Sequence, residues 1–318
     1  MDGLIGFTVG FSHGVEWGWP IGVYLLLAGI SGGSFIAALA LRYYKKQSAN
    51  TVLLKAASLV SFFTIILGMV FLVADLEKPF YFWKILINYN FTSVMSIGVL
   101  ALCVYIPLTF LMVVLVFEAW IKKNLAQTPL VKLFFLFPLL KTARPAIELL
   151  TFLFAVVVCA YTGFLISVLI RFPLLNTAIL PALFIVSGLS AGMAFSSLVA
   201  SYFFKVDTHE ADIKTLHVIE WPVMAMEILL LFMLFVSLAE GTGTYKSSAV
   251  AFFQGTYSFL FWFGVVGIGF CVPLALNFLL GAKIAHSKLA FYFAGAASII
   301  GVLSLRLFIL YAGQTFGA

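Results

Sequence analysis

The sequence predicts an all-α integral membrane protein with eight transmembrane helices. Hydrophobic residues make up 64% of the 318 residues, charged residues make up only 9%, and the mean hydropathy is +1.16. A soluble globular protein needs more polar surface than this composition supplies. The apolar residues also fall into long runs, and a spanning helix needs roughly 20 of them.

The predicted helices follow these runs in order along the chain. They cover residues 17–43, 53–74, 91–119, 146–170, 178–204, 214–239, 250–281 and 287–312. The run 130–140 is too short to span a membrane and is interrupted by Lys132 and Pro138. We therefore expect this run to lie along the membrane interface.

Basic residues predict how the helices are oriented. Thirteen of the 18 Lys and Arg residues lie in loops one, three, five and seven, and four lie in loops on the opposite side. Because Lys and Arg are retained on the cytoplasmic side, both termini are expected in the periplasm. No basic region precedes the first helix and no small-residue cleavage site follows it. We expect that helix to be an uncleaved anchor.

A short motif that occurs twice predicts an internal repeat. Gly29-Ile30-Ser31-Gly32-Gly33 lies in the first predicted helix, and Gly188-Leu189-Ser190-Ala191-Gly192 lies in the fifth. Both helices run from outside to inside, which predicts two four-helix bundles related by an axis along the membrane normal. The same small residues also allow close helix packing, an interpretation that is compatible with the repeat.

The repeat divides a single membrane domain that covers the whole chain, 1–318. The first half begins with residues 1–145 and takes its fourth helix from 146–170. The second half covers 171–318.

Four helices are predicted to bring polar side chains to one depth in the outer half of the membrane. These side chains are Tyr24, Asp75, Tyr161 and Arg306. A charge buried in hydrocarbon costs several kcal/mol, so Arg306 indicates function by default. A carboxylate such as Asp75 is its expected partner.

Structural alternatives exist for three of these side chains. Tyr24 fits an interfacial tyrosine, Asp75 fits a solvated helix end, and Tyr161 fits a side chain that hydrogen-bonds a neighbouring backbone group. Arg306 lies six residues from the predicted end of its helix, which is too far for its charge to reach water comfortably.

Helix six carries two carboxylates seven residues apart, Glu220 and Glu227, which therefore share one face. Such carboxylates serve either as a proton relay or as packing groups bonded to neighbouring hydroxyls. Ser187 and Ser190 on helix five could bond a ligand, although helix packing is an equally simple role. Four further glutamates near helix ends are predicted to be solvated, namely Glu16, Glu118, Glu148 and Glu240.

The sequence offers no pattern for a bound metal cofactor. A haem between helices needs histidines at depth on facing helices. In this chain, His13 precedes the first predicted helix, His209 and His286 lie in loops, and His217 begins the sixth predicted helix. Cys103, Cys159 and Cys271 lie singly in predicted helices, as expected for small buried side chains rather than for an iron-sulfur cluster.

Several motifs, taken in order along the chain, resemble the NrfD/PsrC family, and in particular its polysulfide reductase branch. They are Trp19-Pro20-Ile21-Gly22-Val23-Tyr24 with the glycine motif after it, Ala74-Asp75-Leu76-Glu77-Lys78-Pro79, Tyr161-Thr162-Gly163, Ser187 to Gly192, and Arg306 with Tyr311-Ala312-Gly313-Gln314. The resemblance covers most of the chain, and it is more specific for the family than for a substrate.

The resemblance implies a quinone-binding subunit without haem or iron-sulfur cluster, in the cytoplasmic membrane of a bacterium. Menaquinol is the expected cofactor. The partner implied on the periplasmic face is a ferredoxin-like iron-sulfur subunit, which passes electrons to a molybdopterin catalytic subunit.

Family roles in quinol binding or proton handling carry over to residues of this chain that match the family's positions. Tyr24, Asp75, Tyr161, Glu227 and Arg306 match such positions, and Ser187, Ser190 and Glu220 match them less closely. On this basis Tyr24 and Tyr161 are expected to bond the quinol oxygens and Asp75 to accept a proton. Glu227 and Glu220 are expected to form a route toward the cytoplasm.

Two other functions fit the same sequence. A secondary transporter also explains eight helices, a repeat and a buried arginine, and it predicts helices broken at the membrane midplane. A purely structural anchor for periplasmic enzymes needs no charged interior, so Arg306 and Glu227 argue against it.

Overall fold

The computed structural model describes residues 17–47, 50–76, 78–125, 135–208, 210–276 and 287–315, and most of these are helical. The helices are α1 (Trp19–Tyr44), α2 (Val52–Ala74), α3 (Trp83–Ile87), α4 (Val94–Val116), α5 (Glu118–Leu125), α6 (Leu136–Ser167), α7 (Ile179–Phe203), α8 (Ala211–Ala239), α9 (Thr244–Ala249), α10 (Leu260–Leu274) and α11 (Lys288–Thr315). Short 3₁₀ turns lie at Pro79–Tyr81 and Val250–Phe252.

Seven of the described helices are long and apolar enough to cross a membrane: α1, α2, α4, α6, α7, α8 and α11. They correspond in order to seven of the eight predicted spans. The predicted span 250–281 is not confirmed, because α10 is shorter than a span and the predicted end of that helix lies outside the described residues. Most of α10, Leu260–Cys271, is a π-helix.

The starts of α1 and α2 follow from local chemistry. Pro20 lies in the first turn of α1, where a backbone N–H has no helical acceptor and its loss costs nothing. At α2, the hydroxyl of Thr51 accepts a hydrogen bond from the backbone N–H of Leu54, at 3.1 Å. This cap satisfies one of the donors left free at a helix start.

The predicted separation between a segment at 130–140 and a fourth helix beginning at 146 is wrong for the residues that the structure describes there. Residues from Leu136 onward belong to α6, while 130–134 lie outside the described residues. Pro138 lies in the first turn of α6, where proline is tolerated, so it does not end the helix as expected. The helix also continues through Pro145.

We divide the long helices and α10 by chain order into two groups. The first helix group consists of α1, α2, α4 and α6, and the second consists of α7, α8, α10 and α11. The groups meet along α7, which contacts α1, α6 and α2 as well as α8 and α11, and α1 also contacts α11. Two four-helix halves related by a repeat remain a prediction.

Glycines bring α1 and α7 into backbone contact. A Cβ atom on Gly33 would overlap the carbonyl of Gly188, and one on Gly192 would overlap the backbone of Gly33 and Ser34. The duplicated glycine motifs therefore lie at one crossing. Close approach of this kind is a main source of helix association in membranes.

We call the end of the molecule that carries Arg42, Lys45 and Arg144 the inner end, and the opposite end the outer end. At the outer end, the Gln314 amide bonds the backbone of Trp17 through contacts of 2.9 and 3.2 Å. At the inner end, Lys45 forms a 2.7 Å ion pair with Asp212 of α8. These contacts join the two helix groups at both ends.

A buried carboxylate organises the inner end of the first helix group. The side chain of Glu148 is only 2% exposed and pairs with Arg42, while Arg144 Nε donates to it at 2.7 Å and the Tyr43 hydroxyl at 2.8 Å. The prediction that Glu148 is solvated is therefore wrong. Its position near a helix end could not predict that the side chains of Arg42, Arg144 and Tyr43 cover its carboxylate.

We expect Glu148→Gln to lower the free energy of unfolding by about 2–4 kcal/mol, because the change leaves two half-buried arginines without their shared carboxylate. Thermal unfolding of the purified protein in detergent measures the effect. Glu118→Gln is the matched control, since Glu118 pairs with the more exposed Lys122 and Lys141. The control should lose about 1 kcal/mol or less. Equal losses in the two variants would contradict the assignment.

Candidate quinone site and buried charge cluster

Two tyrosines of the first helix group meet near the outer end. Tyr24 of α1 is fully buried, and the ring of Tyr161 on α6 lies directly over Gly98 of α4. The two phenols are close enough to interact electrostatically. Within the described part of the chain, the Tyr24 hydroxyl has no hydrogen-bond partner. An unpaired buried hydroxyl costs about 1–3 kcal/mol, so a ligand oxygen would be stabilising here.

Asp75 caps the C-terminal end of α2 at the same end of the molecule. It is half-buried, and it interacts electrostatically with Tyr311 of α11, whose ring stacks on Tyr257 at 5.3 Å. Burial raises the pKa of the Asp75 carboxyl above its usual range. The group therefore holds a proton to higher pH than a solvated aspartate does.

Arg306 is fully buried where α11 meets α7. Its Nη2 atom donates to the carbonyl of Phe184 at 3.1 Å and to the Ser187 hydroxyl at 2.8 Å. The guanidinium also lies 3.5 Å from the centre of the Phe184 ring. Nε and Nη1 are buried without hydrogen-bond partners among the described residues. The arginine is thus held by three contacts, and two of its donor nitrogens have no partner among the described residues.

The expected pair between Arg306 and Asp75 is not formed in the part of the chain that the structure describes, where Arg306 instead interacts electrostatically with Glu227. Side chains in a helix point toward its N-terminus, and the N-terminus of α11 lies at the inner end. The guanidinium consequently reaches inward to the level of Gly29. The sequence correctly predicted that the Arg306 backbone lies in the outer half of its helix. It could not predict that the side chain points toward the inner end.

Glu227 lies beside a small polar cavity in the second helix group. Its side chain is nearly fully buried, and the Ser190 and Ser298 hydroxyls, 3.3 Å apart, also line the cavity. The cavity is about the size of one water molecule. Arg306 does not line it, and Arg306 and Glu227 form no direct ion pair within the described residues.

Glu220 lies two turns from Glu227 along α8, toward the inner end. At about 1.5 Å per residue, seven residues separate the two carboxylates by roughly 10 Å along the helix. Glu220 accepts a contact of 3.2 Å from Nδ1 of His217. The predicted shared face of Glu220 and Glu227 thus leads from the cavity toward the inner end.

The predicted site residues separate into two clusters. Tyr24, Tyr161 and Asp75 lie at the outer end, and the others lie deeper, along α7, α8 and α11. The deeper cluster consists of Arg306, Ser187, Ser190, Glu227 and Glu220. Ser187 donates its proton to the carbonyl of Leu183 at 2.7 Å while accepting from Arg306, so its hydroxyl is already used.

Sequence reasoning missed two partners in the deeper cluster, Phe184 and Ser298. A phenylalanine and a serine in an apolar run carry no signal of their own. Only the crossing of α7 and α11 shows that they face Arg306 and Ser190.

The described residues include no group of three or more His, Cys, Asp or Glu side chains that could hold a metal ion. His13, His209 and His286 lie outside them. Cys159 is buried as expected, but Cys103 and Cys271 are exposed on the surface of the isolated protein. A helix of a membrane protein can turn an apolar face toward lipid, and small apolar side chains on that face are exposed. The prediction of buried cysteines did not take such faces into account.

Comparisons with known proteins agree on one family. The family model described as "Polysulphide reductase, NrfD" matches residues 9–318. The protein is 42% identical over 310 residues to a polysulfide reductase chain from Wolinella succinogenes, and the match covers 95% of each of the two. It is 38% identical over 310 residues to protein NrfD of Escherichia coli, and that match covers 94% of this protein and 95% of the relative.

A more distant relative is a selenate reductase subunit from Mesobacillus selenatarsenatis. The identity is 22% over 340 residues, which cover 96% of this protein and 77% of the relative.

Proposed function

The chain belongs to the polysulphide reductase NrfD family, and on that premise we propose that it oxidises menaquinol or a similar quinol near the outer end. In this proposal it is the quinone-binding membrane subunit of a respiratory reductase complex. It is a multi-pass protein of the bacterial inner membrane. The proposed topology has eight spans in two repeated halves, with both termini in the periplasm.

One observation carries the proposal: the unpaired buried hydroxyl of Tyr24 lies beside Tyr161. A quinol headgroup has a flat ring with two oxygen atoms, each able to donate or accept a hydrogen bond. Two tyrosines at the outer ends of α1 and α6 suit such oxygens, because a phenol can both donate and accept a hydrogen bond.

Asp75 is the proposed proton acceptor at this site. Oxidation of a quinol yields a quinone, two electrons and two protons, so a base must lie near the oxygens. The raised pKa of Asp75 makes it a better base than a solvated aspartate, since the ideal catalytic pKa lies near the working pH. Its neighbour Tyr311 belongs to the last turns of α11.

Arg306 has a different proposed role from the one expected. It supplies a fixed positive charge to Glu227, which stabilises the ionised form of that carboxylate after a proton has left. Glu227 and Glu220 then provide a route for protons toward the inner end. The resemblance implies that Ser187 and Ser190 bind quinone. In this proposal Ser187 holds Arg306, and Ser190 lines the cavity beside Glu227.

The proposed partners follow from the names of the relatives. The relatives from Wolinella succinogenes and Mesobacillus selenatarsenatis are named as components of a polysulfide reductase and a selenate reductase, which supports a separate catalytic subunit for this protein. We place a ferredoxin-like iron-sulfur subunit at the outer end, where it would receive the two electrons. A molybdopterin subunit would follow it in the electron path.

Neither alternative function fits the geometry as well. A transporter predicts helices broken at the midplane, whereas each of the seven long described helices is continuous. A purely structural anchor does not need Arg306 and Glu227, both of which are almost fully buried.

We expect Tyr161→Phe to slow quinol oxidation by about tenfold or more, because one hydrogen bond to the reacting oxygen is lost. The assay is anaerobic oxidation of a menaquinol analogue by membranes that contain the assembled complex. Tyr105→Phe is the matched control. Tyr105 is an equally buried tyrosine, but its hydroxyl contacts Ser31 and Ser61 at 3.1 and 2.9 Å, away from the proposed site.

The control should assemble and oxidise quinol at the wild-type rate. Normal oxidation by an assembled Tyr161→Phe complex would move the site elsewhere. Absence of quinol oxidation in the wild-type complex would favour the structural anchor.

A further inference from the structure

A second small cavity lies between α7, α8 and α11, closer to the inner end than the cavity beside Glu227. His217, Glu220 and Ser197 line it with polar atoms. The side chains of His217 and Glu220 are 37% and 18% exposed, so this cavity reaches the protein surface near the inner end, whereas Glu227 is buried.

The two cavities follow one another along the same three helices. On α8, His217 and Glu220 line the inner cavity, and Glu227 lines the deeper one. On α7, Ser197 lines the inner cavity and Ser190 lines the deeper one. Glu220 and Glu227, like Ser197 and Ser190, are seven residues apart, which is roughly 10 Å along a helix.

His217 lies close to the inner end. It is six residues from the start of α8, and the ion pair between Lys45 and Asp212 marks that end of the helix. Its ring packs edge-on against Phe291 of α11, with 5.3 Å between ring centres, and its Nδ1 atom faces Glu220. Imidazole has two nitrogens, so it can accept a proton at one while releasing another from the second.

The first helix group has no comparable series among its described residues. Its described polar cluster at similar depth consists of the hydroxyls of Ser31, Ser61 and Tyr105, which bond one another and nearby backbone. Carboxylates and an imidazole exchange protons with water far more readily than these hydroxyls. The buried carboxylate of the first helix group, Glu148, is held by Arg42 and Arg144, so we place the inner route for protons in the second helix group.

We propose that His217 is the proton-relay residue through which Glu220 and Glu227 exchange protons with water at the inner end. The physiological role of this relay, which is proton exchange at the inner end during quinol oxidation, rests on the proposed function.

The test follows proton exchange at Glu227 directly. The purified complex is transferred from H₂O to D₂O at a pH low enough to protonate Glu227. The shift of its carboxyl C=O infrared band is then followed in time, with the band identified by its loss in Glu227→Gln. We expect His217→Ala to slow this exchange about tenfold, and added imidazole to restore it. Lys214→Ala, an exposed position on the same helix, should exchange like the wild type.

A second variant guards against misfolding. His217→Gln keeps a polar contact to Glu220 but cannot relay a proton, so it should also be slow and should respond to imidazole. Wild-type exchange in both variants, or slow exchange that imidazole does not restore, would overturn the inference.

Quinol oxidation measured on the same samples separates this inference from the proposed function. If exchange depends on His217 while the wild-type complex oxidises no quinol, the relay stands and the proposed function fails. If quinol is oxidised while exchange is independent of His217, only the relay fails.

Discussion

Arg306→Leu is expected to slow quinol oxidation by a factor on the order of 100, the lower end of what a positioned proton-transfer group contributes, because the proposed proton route loses the positive charge that acts on Glu227. The leucine cannot bond Ser187 and Phe184, and Glu227 loses the only positive charge with which it interacts among the described residues. Anaerobic quinol oxidation by the assembled complex measures the effect.

The variant should still assemble. Removing a buried charge also removes its desolvation penalty, and Glu227 can become neutral by taking up a proton. Arg306→Lys keeps the charge but loses the planar group that stacks on Phe184, so we expect an intermediate rate. Arg171→Leu makes the same change at an exposed outer loop and should behave like the wild type. A normal rate in assembled Arg306→Leu would remove this residue from the mechanism.

Gly33→Val is expected to prevent stable folding, at a cost of about 3 kcal/mol or more, because overpacking a contact between backbones leaves no side chain to move aside. The added carbon would overlap the Gly188 carbonyl at the crossing of α1 and α7. The two helix groups could then not approach as they do. The yield of monodisperse protein and its thermal unfolding in detergent measure the loss.

Gly68→Ala on α2 is the control, because it adds a side chain to a helix glycine that is not in close contact with the backbone of another helix. A Cβ there would meet Leu27 and Tyr24 at 3.4 Å, an ordinary contact distance. We expect its stability to lie within about 0.5 kcal/mol of the wild type. A stable, well-expressed Gly33→Val protein would show that α1 and α7 do not cross where the structure places them.

Hydropathy predicted most of the fold, because water-to-lipid transfer of about 20 residues is a strong and purely local signal. The predicted span 250–281 is not confirmed, because its described part includes the π-helical α10 and its predicted end lies outside the described residues. The predicted start of the fourth span was wrong, since α6 begins before Pro138 instead of after it. The duplicated glycine motifs correctly indicated close packing, since only small residues permit it.

The candidate site was less predictable, because contacts between helices depend on rotation and side-chain direction. Depth along the chain grouped Tyr24, Asp75, Tyr161 and Arg306, but the Arg306 side chain points inward to Ser187 and toward Glu227. For the same reason, the sequence did not predict that Glu148 is buried beneath Arg42 and Arg144. Spacing within one helix was reliable, as the pair Glu220 and Glu227 on α8 illustrates.

The most direct measurement is covalent labelling of the assembled complex with a photoreactive menaquinone analogue, followed by identification of the labelled peptides. The account predicts labels on the outer halves of α1 and α6, around Tyr24 and Tyr161. Excess menaquinol should suppress these labels, and Tyr105→Phe should leave them unchanged. Labelling confined to other helices or to a partner subunit, or labelling that menaquinol does not suppress, would contradict a quinone site at these tyrosines.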